Sequence, residues 1–480
     1  MAVIGAGVSG LSAAAELVRL ARDEQTPASI ALFEADGRPG GQIATSEFSG
    51  TGIELGAESL SFGGVETEAA IENLGLTPRL VRPQTSAAGV WDGRKLVPMP
   101  QDSVLGVPLH PWRSDVIRAV GPLGAARAAL ESLLRRGSPE PDGALGDLVR
   151  KRLGRAVLSR LVDPLLGGLY AGPADELSTG AVAPQWLAAI DQSGSLLQGL
   201  RQAARGQLQE PRSTLVASFD GGLQTLVDAL LAAIPAGSLQ ANRPATAIEP
   251  VEGNHVRVHS KGHPAEEFEG LLMAVPAPAA ATLLKPISEG MGDLLRRLEY
   301  ASVATIALAY PETSVARQLL GSGFLVTRRP RRVVTGCTFM DRKWPHLRQA
   351  GRTILTASVG SFGDEWALNL DDTTLITSVH LELRRILGLN GLPLEARIQR
   401  WHGALPQYRV GHLAWRASVE RAAAALPLRI ELAGASFGGV GVAACLNGGA
   451  GAAGRLWRRL GDAGPAPERP PGLAETIERL

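Results

Sequence analysis

Met1–Leu20, MAVIGAGVSGLSAAAELVRL, with Ser29–Glu34, SIALFE, decides the fold. Met1–Ile4 reads as a short buried strand and Gly5–Gly10 as a glycine-rich turn. Leu11–Ala21 is helical, with Leu11, Ala14, Ala15, Leu17 and Val18 at helical spacing. Ser29–Phe33 is a second strand ending at Glu34, so the stretch forms one βαβ unit. Gly5, Gly7 and Gly10 stand as G-x-G-x-x-G between strand and helix. One such glycine makes the tight turn, one lets backbone approach a pyrophosphate, and one lets helix and strand pack closely. The helix beginning near Gly7 aims its free N–H groups and positive dipole end at the phosphates. Glu34, 24 positions after Gly10, is placed to accept hydrogen bonds from ribose hydroxyls. Its charge repels a 2′-phosphate, so a ligand of the NADP type is not expected.

Outward from this unit the pattern changes twice. Between Trp112 and about Ala204 apolar residues recur every three or four positions, as in Val116, Ile117, Val120 and Leu123, which predicts several helices and an all-α insertion. From Glu249 to Ala309 short β-rich runs return (HVRVHS, GLLMAV, VATIALAY) and continue through Phe324–Val326, Val333–Phe339 and Thr353–Ser358. Together they predict an antiparallel sheet of the kind a substrate domain uses. Leu428–Ala433 is again a buried strand, followed by a second glycine-rich strand-to-helix segment, GASFGGVGVAACLNGGAGAAGRL. The Pro-rich tail from Ala463 reads as linker before a short helix at Leu473–Leu480.

Bulk properties set limits. At 480 residues two or three domains are expected, at about 150 residues each. With 45% hydrophobic and 20% charged residues a large core is possible. A formal net charge of +1 gives no global field to hold nucleic acid or an anionic membrane. Lysine is confined to Lys95, Lys151, Lys261, Lys285 and Lys343; arginine, better suited to bidentate carboxylate binding, carries the rest of the positive charge. Cys337 and Cys445 make neither a disulfide framework nor a metal cluster, so no metal is expected. There is no secretory signal pattern and no apolar run of about 18 residues. A cytoplasmic protein with at most peripheral contact on the inner face of the cell membrane is expected.

Further along the N-terminal segment, EADGRPGGQIATSEFSGTGIELGAESL resembles the second fingerprint of the glutathione reductase-type, amine-oxidase-like flavoproteins, on Glu34, Arg38, Gly40, Gly41, Glu54, Gly56 and Glu58. The resemblance implies FAD. Where that family has Lys or Arg after the glycine pair this chain has Gln42, so a neutral hydrogen bond is expected in place of a charge near the pyrophosphate. The C-terminal glycine segment resembles the last flavin-binding segment of the same superfamily. There, backbone of Val440, Gly441 and Val442 and a helix N-terminus face the flavin O2 region and favour negative charge on the reduced ring.

Several blocks narrow the resemblance to the protoporphyrinogen/coproporphyrinogen oxidase family; the lack of a targeting pattern and the bacterial-looking composition point to its bacterial coproporphyrinogen III branch. They include Leu96–Trp112, Leu148–Ser178, Phe219–Leu230, Ala274–Leu284, Glu299–Pro311, Gly321–Val326, Arg342–His346 and, most telling, Arg400–Leu413 with its P-Q-Y-x-x-G-H run. The implied fold is α/β plus α+β: a Rossmann-type FAD-binding domain with discontinuous segments, a β-rich substrate domain and an all-helical inserted domain that can rest on a membrane. The expected boundaries are 1–80, 205–285 and 400–462 for FAD binding, 81–111 and 286–399 for the substrate domain, 112–204 for the helices and 463–480 for the tail. The implied cofactor contacts are Gly5, Ala6, Gly7, Val8, Ser9, Gly10, Glu34, Ala35, Arg38, Gly41, Gln42, Gly56, Ala57, Glu58, Ser59, Ala245, Trp401, Gly434, Val440, Gly441 and Val442. Ser322, Gly323, Leu325 and Ala357 are expected against the macrocycle, and Arg342, Lys343 or Arg409 on its carboxylates, since Ala87 and Ala88 stand where some relatives carry a basic residue. The implied reaction is six-electron oxidation of coproporphyrinogen III with O2, giving H2O2, with protoporphyrinogen IX as the alternative substrate. No catalytic acid or base is assigned, because the flavin accepts the hydride; Tyr408, His412 and His346 read as packed or capping residues. A ferrochelatase is the expected transient partner. An amine oxidase or carotenoid-type desaturase on the same scaffold, and a non-catalytic flavin or tetrapyrrole carrier, are the competing readings.

Overall fold

A computed structural model describes residues 1–461 apart from 63, 134–136, 138, 207–215, 316–318, 320 and 329–331, so the expected tail helix at 473–480 lies outside the described residues. Its organising layer is a five-stranded sheet in the order Leu239–Gln240, Ala31–Phe33, Ala2–Ile4, Leu271–Met273 and Ile430–Leu432. Every neighbouring pair runs parallel, with Val3 in register with both Leu32 and Leu272. Ala2–Ile4, Ala31–Phe33 and Leu271–Met273 are buried throughout, as strands covered on both faces must be. One face is covered by helix α1 (Val8–Asp23), through Leu11, Ala14 and Leu17, and by the last helix, Val442–Gly461. The other face packs against helix Ala277–Leu284 and a three-stranded antiparallel sheet, Ala245–Val251, His255–Ser260 and Glu266–Phe268.

That arrangement corrects the sequence reading on one point. HVRVHS and GLLMAV do not belong to the same sheet as VATIALAY. His255–Ser260 lies in the small sheet on the nucleotide layer, and Leu271–Met273 is a central strand of that layer. Short β-branched runs reveal strand character but not which distant partner they pair with.

The second sheet has seven strands, in the order Glu395–Pro406, Tyr300–Pro311, Arg352–Val359, Val334–Phe339, Gly323–Val326, Gly89–Trp91 and Leu96–Pro98. Its pairs are antiparallel except Gly323–Val326 with Gly89–Trp91, which is parallel. One face packs on helix Asp372–Leu387 through Leu375, Val379 and Leu383. Alternation along Arg352–Val359 puts Leu355, Ala357 and Val359 on that face and Thr356 and Ser358 on the other.

The third body is helical, from Ser114–Val120 to Leu196–Gly206, around a core that includes Trp186, Leu145, Val149 and Leu166. Glu131, wholly buried, holds it together: its carboxylate accepts from Arg152 at 3.1 Å, from the Ser195 hydroxyl at 2.5 Å and from the Leu196 N–H at 2.8 Å. A buried charge needs such a full set of partners.

Candidate active site

Three glycine-bearing turns converge at the edge of the nucleotide sheet. In the first, Gly5 has φ +98° and a Cβ there would lie 2.7 Å from the Ala274 carbonyl oxygen; a Cβ on Gly10 would overlap the Gly5 carbonyl oxygen. These two glycines serve close packing of protein on protein. Gly7 caps α1 and faces the second turn, forming a bridge to Gly40, while Gly40 N–H donates to the Ala6 carbonyl at 2.8 Å. The first turn of α1 carries no acidic side chain, so its positive end is open to an anion.

Glu34 sits at the end of strand Ala31–Phe33. Its carboxylate accepts the Ala6 N–H at 2.8 Å on one oxygen and the Asp36 N–H at 2.9 Å on the other. Each oxygen keeps a further lone pair that can receive a ribose hydroxyl. Beside it, Arg243 N–H donates to the Glu34 carbonyl at 2.7 Å, which brings Ala245 to the same end of the sheet; Ala35 is exposed there. Arg38 clamps its own loop, donating to the carbonyls of Ile43 at 2.5 Å and Gly41 at 2.9 Å.

Gln42 spends its side-chain N–H on the Ala404 carbonyl at 2.6 Å, in the edge strand of the large sheet, so the amide ties two bodies together. Glu58 also bridges them. Its carboxylate receives Lys343 Nζ at 2.6 Å, Trp344 Nε1 at 2.9 Å and Thr338 Oγ1 at 3.1 Å, and so fastens the second turn to the large sheet. Burial alone would raise this carboxyl; the Lys343 ammonium and the three donors outweigh it and hold Glu58 below the usual range. Glu54 answers the opposite balance. It is buried, and desolvation pushes it up to about 7 although the Leu223 N–H and Thr45 hydroxyl donate to it. Between them, Gly56 admits the ring of Trp401, whose Cζ2 would lie 2.9 Å from a Cβ there; Trp401 Nε1 donates to the Leu55 carbonyl at 2.8 Å, and Ala57 N–H to the Gln42 carbonyl at 3.0 Å. Ser59 follows, half-buried.

The third turn, Gly434–Gly441, leads into the last helix. Gly434, Gly439 and Gly441 have φ of +109°, +117° and +116°, and a Cβ on Gly434 or Gly441 would meet nothing within 4 Å. Open space beside backbone in this conformation is the cradle a flat ligand needs. Val442 opens a helix with no acid in its first turn. The first turns of the two helices touch: Ser9 Oγ donates to the Cys445 carbonyl at 3.0 Å and Ser12 Oγ to the Leu446 carbonyl at 2.7 Å. Both cysteines are free thiols, and burial raises both. These residues fit FAD: phosphates at the start of α1, ribose at Glu34, and the ring against the third turn.

The family of proteins to which this chain is similar agrees with that fit. The model of the flavin-containing amine oxidoreductases matches residues 8–456. The chain belongs to that family. FAD is therefore its cofactor. Over 451 residues it is 31% identical to the coproporphyrinogen III oxidase of Bacillus subtilis, covering 93% of this chain and 95% of that one. The coproporphyrinogen III oxidase of Mycobacterium tuberculosis is 32% identical over 456 residues, 94% and 95% of the two chains. A solved structure from Exiguobacterium sp., named provisionally as a protoporphyrinogen oxidase, superposes with a TM-score of 0.82 at 30% identity, covering 95% and 98%. The chain is thus a member of the coproporphyrinogen III oxidase group within this family.

On the large sheet, the face opposite Asp372–Leu387 looks toward the helical body. Leu325 lies on it, 3.0 Å from where a Cβ of Gly168 would be, under helix Asp163–Tyr170. Thr338, Thr356 and Ser358 share that face, and the buried Thr356 hydroxyl has no hydrogen-bond partner. Ala357 does not share it: its side chain is fully buried against the helix side, one residue out of phase with Leu325's face. Thr356 and Ser358, on either side of Ala357, lie on Leu325's face. Gly323 is needed for strand contact, since a Cβ would overlap the Cys337 carbonyl; Ser322 donates through N–H (2.7 Å) and Oγ (2.9 Å) to the Ala87 carbonyl.

The three cations expected on carboxylates all have acidic partners already. Arg342 is near Glu312 (3.7 Å) and Asp341 (3.8 Å), Lys343 is on Glu58, and Arg409 is on Glu176 (3.2 Å) and Glu299. Arg328, not among the expected residues, also has an acidic partner. It stands at the end of Gly323–Val326, 3.6 Å from Asp163 and 3.3 Å from Ser361, where the sheet meets the helical body. Tyr408 and His412 are buried and stacked on each other, centroids 4.1 Å apart; burial lowers His412 to about 4, so it stays neutral. His346 is likewise lowered by burial. Among the described residues no group of acidic, histidine or cysteine side chains could hold a metal ion.

Proposed function

We propose that this chain oxidises coproporphyrinogen III to coproporphyrin III, three O2 becoming three H2O2. What carries the reading is identity of 31–32% with bacterial coproporphyrinogen III oxidases along 93–94% of the chain. FAD supplies the acceptance of two electrons at a time and their delivery to O2. The protein's own residues bind and exclude water. The face holding Leu325, Thr338, Thr356 and Ser358 takes one side of the macrocycle, and helix Asp163–Tyr170 covers it. The Thr356 hydroxyl is offered to a pyrrole N–H, and Arg328 to a propionate at the rim. No side chain is assigned a proton-transfer role.

On this reading 1–80, 205–285 and the chain after strand Glu395–Pro406 act as one cofactor unit, 81–111 and 286–406 as the substrate unit, and 112–204 as its cover; the expected boundary at 399/400 falls inside that strand. Among the described residues no helix is long and apolar enough to cross a membrane. Exposed Trp112, Leu123 and Leu130 on the helical body support a peripheral membrane contact. A ferrochelatase is the proposed recipient of the product.

The test is turnover of coproporphyrinogen III and protoporphyrinogen IX side by side in air, with porphyrin fluorescence and H2O2 both followed. Coproporphyrinogen III is expected to react faster, with three H2O2 per porphyrin. Faster reaction of protoporphyrinogen IX selects the second substrate, and bound flavin without turnover of either selects a carrier.

A further inference from the structure

The three bodies meet on Pro406–His412, which reaches the third glycine turn through the Tyr408 side chain. Its backbone is held by the helical body: Ser178 N–H donates to the Tyr408 carbonyl at 2.8 Å, Leu177 bridges Arg409, and Val410 N–H donates to the Glu176 carbonyl at 2.9 Å. Gln407 Nε2 donates at 2.7 Å to the carbonyl of Tyr170, the last residue of the helix that covers Leu325. The Tyr408 ring lies in the core of the helical body, and its hydroxyl reaches out of it. Its ring is buried against His412, and its hydroxyl donates to the Ala435 carbonyl.

Ala435 belongs to the third glycine turn. Its neighbour Ser436 shares a 2.7 Å hydrogen bond with the Tyr300 hydroxyl, and Tyr300 is paired with Pro406 across the two strands. Two tyrosines at one end of the same ribbon therefore grip consecutive residues of the turn. Further along the turn, Val440 packs against the core of the helical body, a core that includes Tyr408. A segment with three glycines at positive φ has little preference of its own, so outside contacts must set its shape.

We propose that Tyr408 is a positioning residue: through Ala435 it sets the third glycine turn, and with it the flavin edge, according to how the helical body is seated over the substrate face. The proposal rests on the reading that residues 434–442 face the isoalloxazine ring. The contacts form an unbroken path from the cover helix at Tyr170, through Gln407 and Tyr408, to Ala435 and Val440. Substrate lodged beneath that helix adjoins one end of the path and the flavin the other. Loss of the hydroxyl leaves the Ala435 carbonyl without its donor and frees the turn, while the ring and its stack on His412 remain.

The experiment compares Tyr408→Phe with wild type as FAD-loaded proteins. It reads the visible flavin band, the midpoint potential of the bound flavin, the anaerobic rate of flavin reduction by coproporphyrinogen III, KM and thermal stability. The expected result is a displaced flavin band and potential and reduction slowed about fivefold, the size of one lost hydrogen bond, with KM within about twofold. Val440→Ala, which trims a second contact between turn and helical body, is expected to move the same readouts the same way, and decides the matter if Tyr408→Phe does not fold. A variant that loses thermal stability but keeps the wild-type flavin band, potential and reduction rate overturns the proposal. Should wild type bind FAD yet oxidise no porphyrinogen, the reading of function fails while band and potential still judge Tyr408.

Discussion

The first and third glycine turns look alike in sequence and differ in what their glycines do. At Gly5 and Gly10 a side chain would strike backbone of the protein itself, so the space is already filled. At Gly434 and Gly441 a side chain would enter open space, and what glycine supplies is the backbone conformation. Gly5 and Gly10 are joints of the fold, while Gly434 and Gly441 border open space. A glycine motif is thus two different physical statements, and they separate under mutation.

Gly10→Ala is the most severe break. Its Cβ meets a carbonyl that cannot move without displacing the strand, so a loss of at least about 3 kcal/mol is expected, read by urea unfolding. Recovery of near-wild-type stability would erase the distinction drawn here. Next comes Glu54, beside the second turn. Its folded carboxyl holds a proton up to about pH 7, against 4.5 for the ordinary group. The folded state therefore binds more protons in that window, and stability falls as pH rises through it, by roughly 3 kcal/mol. Unfolding measured at pH 4.5 and pH 7.5 should show that slope in wild type and a smaller one in Glu54→Gln. The mildest change is Gly441→Ala. The fold should persist, with about 1 kcal/mol of backbone strain and FAD held about tenfold more weakly, as equilibrium dialysis would measure. If Gly441→Ala destabilised the chain as much as Gly10→Ala, the third turn would be a joint as well.

How much of this could be read from sequence follows the range of the contacts. The βαβ unit was legible because its strand, turn, helix and acid lie within Met1–Glu34, and local periodicity and glycine spacing encode them. The helical body was legible for the same reason. The placement of HVRVHS and GLLMAV was not, because pairing of Leu271 with Ala2 and Ile430 joins residues far apart in the chain. Glu58 reads as a cofactor acid in its own segment, and nothing there announces Lys343, Trp344 or Thr338 as its partners. That Ala357 and Leu325 lie on opposite faces was legible. In ILTASV the alternation of apolar and hydroxyl residues already divides the strand, and Thr356 and Ser358 mark the wetter face.

The burial of the two thiols has a bearing on how long such a catalyst lasts. On the proposed chemistry every porphyrin made leaves hydrogen peroxide in the neighbourhood of the flavin. Peroxide attacks sulfur as thiolate, and the first oxidation step needs that ion and an approach to it. Cys337 and Cys445 are both kept protonated by their surroundings, and Met99, Met273, Met291 and Met340 are shut inside the cores. Apart from the partly exposed Met1, the chain's sulfur is thereby withheld from its own waste product, which makes slow inactivation during turnover a matter of local opening rather than of surface chemistry.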